Sequence, residues 1–156
     1  VVLLLDVGRA AGMAALALWG LPAAPAPWVG AALVAGNRFP CFHRFRGGKG
    51  VASFLGFTIP ISPWGALLAC VAWVGVHRIC RVPFIASFAM VLILGISAAW
   101  PGDRGTLSIA GTAVTVLLIF MSHRKNVSGL LDQRRHRVRT GAAAAPTERP
   151  SRERVD

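Results

Sequence analysis

A short glycine-rich and basic segment, Gly47 to Gly50, has the residue types needed to bind phosphate; we call it the glycine loop. Gly47, Gly48 and Gly50 flank Lys49, and glycines let the backbone approach a ligand and aim successive N–H groups at it. A helix that begins near Gly50 would add the positive end of its dipole. Together with Arg46, these residues predict a cradle for a phosphate group.

Two other interpretations of the glycine loop bear on this prediction. A nucleotide-binding P-loop needs a preceding strand and a Ser or Thr after the lysine, whereas Gly50 follows Lys49 here. A flexible turn, whose basic residues only orient the protein, is equally compatible with the composition. Residues 38–49 contain four basic side chains, and each would cost about 2.5–3.5 kcal/mol at the centre of a bilayer. The loop must therefore lie at an aqueous face.

A second candidate site lies at Ser122 to Val127. In a continued helix, His123 and Asn126 are three residues apart and share a face. Both side chains could hydrogen-bond a phosphate or a substrate hydroxyl, and Arg124 adds a positive charge beside them. A basic stop after a membrane span, with Asn126 as a helix cap, is the alternative.

Two smaller groupings have less specific spacing. Asp6 and Arg9 are three residues apart on a predicted helix, where they could form an ion pair or let the aspartate steer a substrate-binding arginine. Cys41 and His43 could contribute to a metal site or a thiol nucleophile, but a zinc site would need further ligands. We favour a free thiol and predict no metal site.

The composition predicts that the elements around these residues lie in a membrane. Of the 156 residues, 54% are hydrophobic and 15% are charged, with a formal net charge of +11, whereas soluble domains are about a quarter charged. The charges leave four uncharged stretches that each reach the roughly 18 residues of a transmembrane candidate. They are residues 10–37, 50–77, 82–102 and 105–123. We expect an all-α, polytopic transmembrane helical bundle.

Prolines predict that each of the first two stretches is a hairpin of two short helices. Pro22, Pro25 and Pro27 interrupt one stretch, and Pro60 and Pro63 interrupt the other, because proline removes a backbone donor. Two hairpins bring every basic cluster to one side of the membrane, as expected for the cytoplasmic side. Single crossings would separate the glycine loop from the other clusters. Half a stretch, about 14 residues, spans roughly 21 Å, so we expect these Pro-broken helices to be short or partly re-entrant.

The rest of the chain divides into two full-length spans and a tail. Pro83 can open a helix that ends near Trp100, and Thr106 can cap one that runs to about Ser122. Small residues in both predict close helix packing. Residues from about 140 lack the apolar side chains of a core. We therefore expect a transmembrane domain over residues 1–135 and a basic, disordered cytoplasmic tail over residues 136–156.

These segments resemble one family over about residues 1–135: the bacterial membrane acyltransferases that acylate glycerol 3-phosphate with acyl-phosphate. Gly36 through Gly56 is similar to the family's Gly-His-x-Phe-Pro-x-Phe…Phe-Lys-Gly-Gly-Lys-Gly-Val-Ala motif, and Ser62-Pro63-Trp64 is also similar. His123-Arg124-Lys125-Asn126-Val127 resembles the later His-Arg-x-Asn-Ile motif. Asp6-Val7-Gly8-Arg9 resembles the Asp-x-x-Lys that opens an early helix.

Several positions depart from the family pattern. Asn37 stands where the family has His, Arg9 where it has Lys, and Gly129 where it has Arg. Gln133 and Arg135 replace Gly and Glu. The family's Ser-Gly-Asn-x-Gly-Ala-Thr-Asn loop does not occur in the sequence, so we expect an amino-terminally truncated or a degenerate member.

The resemblance implies transfer of an acyl group from acyl-phosphate to the 1-hydroxyl of glycerol 3-phosphate, giving lysophosphatidic acid in the first step of phospholipid synthesis. It assigns catalysis to Lys49, His123 and Asn126. Phosphate binding falls to Arg46, Gly47, Gly48, Gly50, Asn37, Arg9 and Arg124. It further implies the two phosphorylated substrates and membrane lipids as partners, no cofactor, no nucleic acid, and a monomer in the bacterial inner (plasma) membrane with a cytoplasmic active face.

Two other functions are compatible with the sequence. A catalytically inactive relative that binds phosphorylated lipids or acyl intermediates would account for Asn37 and for the altered residues 129–135. A small transporter is disfavoured, because the predicted spans contain no Asp, Glu, Lys or Arg to mark an ion path.

Overall fold

A computed structural model describes residues 2–22, 25–40, 47–99, 105–124, 126 and 128–129. Within these residues it contains six helices and no strand, which confirms the all-α prediction. They are α1 (Val2–Gly20), α2 (Ala26–Arg38), α3 (Val51–Ile61), α4 (Pro63–Cys80), α5 (Pro83–Ala99) and α6 (Gly105–Ser122). Val1–Arg124 forms one compact unit and Lys125–Asp156 a second. Arg46, Cys41, His43 and the predicted tail lie outside the described residues, as does the predicted domain boundary at residue 135.

Both proline-containing stretches break into two helices, as the sequence predicts. The first stretch is divided between Gly20 and Ala26, and the second at Ser62, the only residue between α3 and α4. Pro63 occupies the first turn of α4, where its missing N–H leaves no helix hydrogen bond unmade. Pro60 lies within the last turn of α3.

The expectation that all four of these helices are short is wrong for two of them. α1 has 19 residues and α4 has 18, and both are long and apolar enough to cross a membrane, as is α6. α1 and α4 extend beyond the ends of the uncharged stretches, because α1 includes Asp6 and Arg9 and α4 includes Arg78. α2 and α3, with 13 and 11 residues, are short. α6 begins at Gly105, so Thr106 lies inside the helix and does not cap it.

α2 and α6 pack side by side and run in the same direction. Near their starts, the indole N–H of Trp28 donates to the carbonyl of Leu107 at 3.1 Å, and a Cβ on Gly111 would lie 3.1 Å from the backbone nitrogen of Trp28. Near their ends, Val34 and Ile119 both face Gly50. The small residue in α6 therefore permits the close approach that the sequence predicts.

The start of α5 lies at the same end of the bundle as the end of α6. Phe88, in the second turn of α5, packs its ring on those of Phe120 and His123. α4 runs against α5 and is joined to its start by Arg81 and Val82. The described helix ends that carry Arg38, Arg78 and Arg124 therefore gather with the glycine loop, in agreement with the two-hairpin prediction.

α1 packs mainly on α3 through a backbone contact. A Cβ on Gly56 would collide with the carbonyl oxygen of Val7 and would lie 2.8 Å from its Cα. Ala10 and Ala14 of α1 are completely buried in the same core as Phe54 of α3. Small side chains thus bring the two helices into close contact.

The outer surface of the bundle is apolar. Large hydrophobic side chains are exposed along α1 and α4, including Leu4, Leu16, Leu68 and Val71. Trp19 and Trp64 are 89% and 81% exposed and lie beside the turns opposite the glycine loop, as tryptophans do at membrane interfaces. Such a surface is stable in lipid and not in water.

Candidate active site

The glycine loop is held against the end of α2 by close backbone contacts. A Cβ on Gly47 would collide with the carbonyl oxygen of Asn37 and would lie 2.7 Å from that of Arg38. Gly48 donates its N–H to the same Asn37 carbonyl at 3.0 Å. A residue larger than glycine at position 47 would push the loop away from the helix.

Asn37 and Gly48 hold the loop in a way that the sequence does not predict. A Cβ on Gly48 would lie 3.0 Å from the amide nitrogen of the Asn37 side chain. Both the backbone and the side chain of Asn37 thus lie against the loop. The Gly48 N–H, which is predicted to bind phosphate, is already engaged with the helix by its bond to the Asn37 carbonyl.

Gly50 turns the chain from the loop into α3. Its φ of +84° lies in the left-handed region that glycine adopts without strain. It is buried between Val34 and Ile119, at 2.8 and 3.5 Å from the position of a Cβ. α3 begins at Val51, as predicted, and its first turn has no side-chain cap. The N–H groups of that turn therefore supply a local positive potential beside Lys49.

His123 lies directly after α6 and is 1% exposed. Its backbone N–H bonds to the carbonyl of Phe120 at 3.0 Å, so α6 ends at Ser122 with a turn at His123, and the next described residues, Arg124 and Asn126, are again helical. The ring Nδ1 lies 2.9 Å from the carbonyl oxygen of Ile119. A carbonyl only accepts, so Nδ1 carries the proton, and in the neutral ring Nε2 is left as the acceptor.

Burial keeps the His123 ring neutral. It lowers the pKa of His123 from its ordinary value of 6.5; the hydrogen bond to Ile119 opposes this shift, and the positive charge of Lys49 adds to it. A Cβ on Gly50, the residue after Lys49, would lie 3.5 Å from the Ile119 side chain, and the Ile119 carbonyl bonds to His123, so the glycine loop and His123 lie at the same end of the bundle. Lys49 itself is exposed, so an exposed cation and a neutral, buried hydrogen-bond acceptor are neighbours at the loop end of the bundle.

Other predicted site residues are distributed around this end. Nη2 of Arg9 lies 3.6 Å from Oδ1 of Asp6, which supports the ion-pair interpretation. The arginine side chain stays mostly exposed. Arg124 is exposed directly after His123. Asn126 belongs to the second unit of the chain, and its role stays a prediction, as does that of Arg46.

Phe88 also lies at this site, and no sequence motif identifies it. Phe88 lies 5.3 Å from the His123 ring between centroids, although in the sequence it is one of many apolar residues in residues 82–102. Only the packing of α5 on α6 reveals the contact.

The fold and this end of the bundle define an all-helical integral membrane protein with a glycine-bounded lysine and a buried histidine at one end. A family model described as glycerol-3-phosphate acyltransferase matches residues 1–133. The chain therefore belongs to the glycerol-3-phosphate acyltransferase family.

Individual relatives agree with this assignment. The chain is 34% identical over 125 residues to the glycerol-3-phosphate acyltransferase of Laribacter hongkongensis, covering 78% of this chain and 60% of the relative. It is 32% identical over 137 residues to that of Sinorhizobium medicae, covering 87% and 66%. It is also similar to a crystal structure of PlsY, an integral membrane glycerol 3-phosphate acyltransferase in its lysophosphatidic acid form. The TM-score is 0.76 at 29% identity, over 85% of this chain and 68% of the other.

The chain spans about 60% of the length of the first of these relatives. The family and the membrane-embedded helical fold follow from the matches.

Proposed function

We propose that this chain transfers an acyl group from acyl-phosphate to the 1-hydroxyl of glycerol 3-phosphate and releases lysophosphatidic acid and phosphate. The observation that carries the proposal is that the glycine loop and His123 meet at Ile119, whose side chain lies beside Gly50 and whose carbonyl bonds to Nδ1 of His123. Burial lowers the pKa of His123, and the positive charge of Lys49 lowers it further. A cation and a neutral imidazole side by side suit a reaction that needs both charge neutralisation and a hydrogen-bond acceptor.

The chemistry of the donor fits a site without a nucleophilic serine or cysteine. Acyl-phosphate is an activated mixed anhydride, so the site has to hold two phosphorylated molecules together and balance their charge. Two phosphates bring a charge of roughly −3 to −4 at neutral pH. Lys49, the first turn of α3 and the neighbouring arginines, including Arg46, supply compensating positive potential.

In the reaction we propose, the 1-hydroxyl oxygen attacks the acyl carbonyl carbon. A bond forms between these atoms, the bond from the carbonyl carbon to the phosphate oxygen breaks, and phosphate leaves with the electron pair. Nε2 of His123 accepts a hydrogen bond from the attacking hydroxyl and takes its proton, while Nδ1 stays on the Ile119 carbonyl. Lys49 neutralises the departing phosphate.

The membrane setting accounts for the acyl chain. A long acyl group is insoluble, and a site at the end of an apolar bundle lets the chain lie among helices while the phosphates stay in water. We propose that the protein acts as a monomer in the bacterial inner membrane with the basic end towards the cytoplasm, in keeping with the excess of Lys and Arg on that side.

The test is direct acyl transfer by the 156-residue chain reconstituted in phospholipid vesicles. Palmitoyl-phosphate and labelled glycerol 3-phosphate are supplied, and labelled lysophosphatidic acid is measured, with His123→Ala and Lys49→Ala beside the unaltered chain. We expect product from the unaltered chain and a large loss in both variants. Labelled glycerol without the phosphate is the substrate control. Absence of product from the unaltered chain in vesicles contradicts the proposed activity.

A second candidate function is a binding protein without catalysis. It is favoured by Asn37, which replaces the family's His and lies against the glycine loop. This chain would then bind lysophosphatidic acid or acyl-phosphate and make no product. Equilibrium binding of labelled acyl-phosphate in the same vesicles, without formation of lysophosphatidic acid, supports this second candidate.

A further inference from the structure

The ring of Phe88 lies against the ring of His123. Their centroids are 5.3 Å apart and their planes meet at 64°, which is the edge-to-face arrangement that aromatic rings prefer. Phe88 belongs to the second turn of α5, and His123 follows the last turn of α6. The contact therefore joins two helices at the end of the bundle that carries the glycine loop.

Phe88 is itself held by two other rings. Its centroid lies 4.8 Å from that of Phe120, with the planes at 76°, and 5.8 Å from that of Phe84, with the planes at 77°. Phe120 comes three residues before His123, and Phe84 lies one turn before Phe88 on α5. The contact with Phe120 holds Phe88 against the end of α6, whereas Phe84 lies on the same helix as Phe88 and makes no ring contact with His123 among the described residues.

A single hydrogen bond does not by itself fix the orientation of the His123 ring. The Nδ1 bond to Ile119 at 2.9 Å fixes one ring atom, but the ring can still tilt about that atom and swing Nε2 away from a substrate. The Phe88 ring packs against the imidazole and limits this tilt. Hydrogen bond and ring contact together determine where Nε2 points.

We infer that Phe88 is a positioning residue for His123: it holds the imidazole in the orientation that aims Nε2 at the substrate and screens the ring from water. The inference rests on the proposed function for its catalytic meaning, although the packing of the two rings does not depend on it. Phe88 contributes no polar atom and is not itself a catalytic residue.

The screening has a measurable consequence. Burial is the main cause of the lowered pKa of His123, and Lys49 is the charged side chain that acts on it from the glycine loop. From α6 the ring is met by the Ile119 carbonyl, and from α5 by the ring of Phe88. Replacing Phe88 by a smaller side chain without a ring would admit water and raise the pKa of His123 towards 6.5.

The experiment compares Phe88→Leu, Phe88→Tyr and Phe84→Leu in the full chain. Leucine removes the ring with a modest loss of volume, tyrosine keeps the ring, and Phe84→Leu makes the same change one turn away, at a residue whose ring contact in the described part of the chain is with Phe88. The imidazole of His123 is titrated by NMR in detergent micelles and assigned with His123→Gln. Acyl transfer is measured on the same preparations.

We expect Phe88→Leu to raise the pKa of His123 and to lower kcat by about two- to tenfold, the range that the loss of one aromatic pair predicts. KM for glycerol 3-phosphate should stay within about twofold, because the phosphate contacts are unaltered. Phe88→Tyr and Phe84→Leu should titrate like the unaltered chain. This combination supports the positioning role.

A His123 titration in Phe88→Leu that matches the unaltered chain overturns the inference, as does an equal shift in Phe84→Leu. If the unaltered chain makes no product, the proposed function fails, and the NMR titration alone decides whether Phe88 controls His123. A shift confined to Phe88→Leu then still supports the contact, and its absence overturns it.

Discussion

Lys49 and His123 are separated along the chain by four helices and lie at the same end of the bundle, where Ile119 lies beside Gly50 and bonds through its carbonyl to His123. Burial lowers the pKa of His123, and the positive charge of Lys49 lowers it further. Lys49 precedes α3, and His123 follows α6. The packing of α2 on α6, with Gly50 between Val34 and Ile119, brings them together.

Lys49→Ala should reduce kcat/KM for glycerol 3-phosphate by roughly 10- to 150-fold. A hydrogen bond to a charged group contributes about 1.5–3 kcal/mol, and the fold-change follows from that free energy. Lys49→Arg keeps the charge and should retain part of the activity. Steady-state kinetics in vesicles measure both. Unaltered kcat/KM in Lys49→Ala would remove this lysine from the site.

The activity should fall on the acid side below about pH 6.5, because His123 must be neutral to accept a proton and burial holds its pKa below that ordinary value. At pH 7 the neutral form predominates, and activity is lost as pH falls through the lowered pKa. Glycerol 3-phosphate also titrates near pH 6, so the comparison between variants is the decisive one.

Lys49→Ala removes one of the two causes that lower the pKa of His123, so the acid limb of its residual activity should move to higher pH. The matched control is Arg78→Gln, which removes one positive charge from the exposed end of α4. The substrate is the same in all three profiles. An acid limb that Arg78→Gln moves as far as Lys49→Ala does would argue against a specific interaction between Lys49 and His123.

Gly47→Ala should destabilise the glycine loop by about 1–3 kcal/mol, the usual cost of forcing atoms into a packed site. The added Cβ would collide with the carbonyl of Asn37, which belongs to a helix and cannot move freely. Gly75→Ala makes the same change on α4 where nothing lies within 4 Å. We expect acyl transfer to fall in Gly47→Ala and to persist in Gly75→Ala; equal activities would show that the close approach at Gly47 is dispensable.

The sequence predicted the breaks between helices and the start of α3 because prolines and glycines act locally. The hairpin arrangement also followed from sequence, since charge placement determines which loops share a side. Helix lengths were underestimated because charged residues at the ends of α1 and α4 stay helical at a membrane boundary, where their charges can reach water.

The site was predicted only in part. Lys49 and His123 could be found from glycine spacing and from the family resemblance, but the engagement of the Gly48 N–H by Asn37 depends on how the loop folds back on α2. Phe88 could not be found, because an apolar residue in an apolar helix has no distinctive sequence signal. Its role depends on which face of α5 meets α6, and that is decided by tertiary packing.

The contact between α1 and α3 gives a prediction about stability and not activity. Gly56→Ala would place a Cβ against the backbone of Val7, and overpacking of this kind costs about 1–3 kcal/mol. Thermal unfolding in detergent should therefore occur at a lower temperature. Gly12→Ala on α1 is the control, because nothing lies within 4 Å of its Cβ and alanine is favoured over glycine in a helix by roughly 0.5–1 kcal/mol.

The obstructing atoms in this contact belong to the backbone, so trimming the neighbouring side chain should not relieve it. The double variant Val7→Ala with Gly56→Ala is expected to unfold at no higher temperature than Gly56→Ala alone. Recovery of stability in the double variant would mean that side chains, and not the two backbones, set the distance between α1 and α3. Because Asp6 and Arg9 flank Val7 on α1, such a result would also change where this ion pair lies relative to the loop end of the bundle.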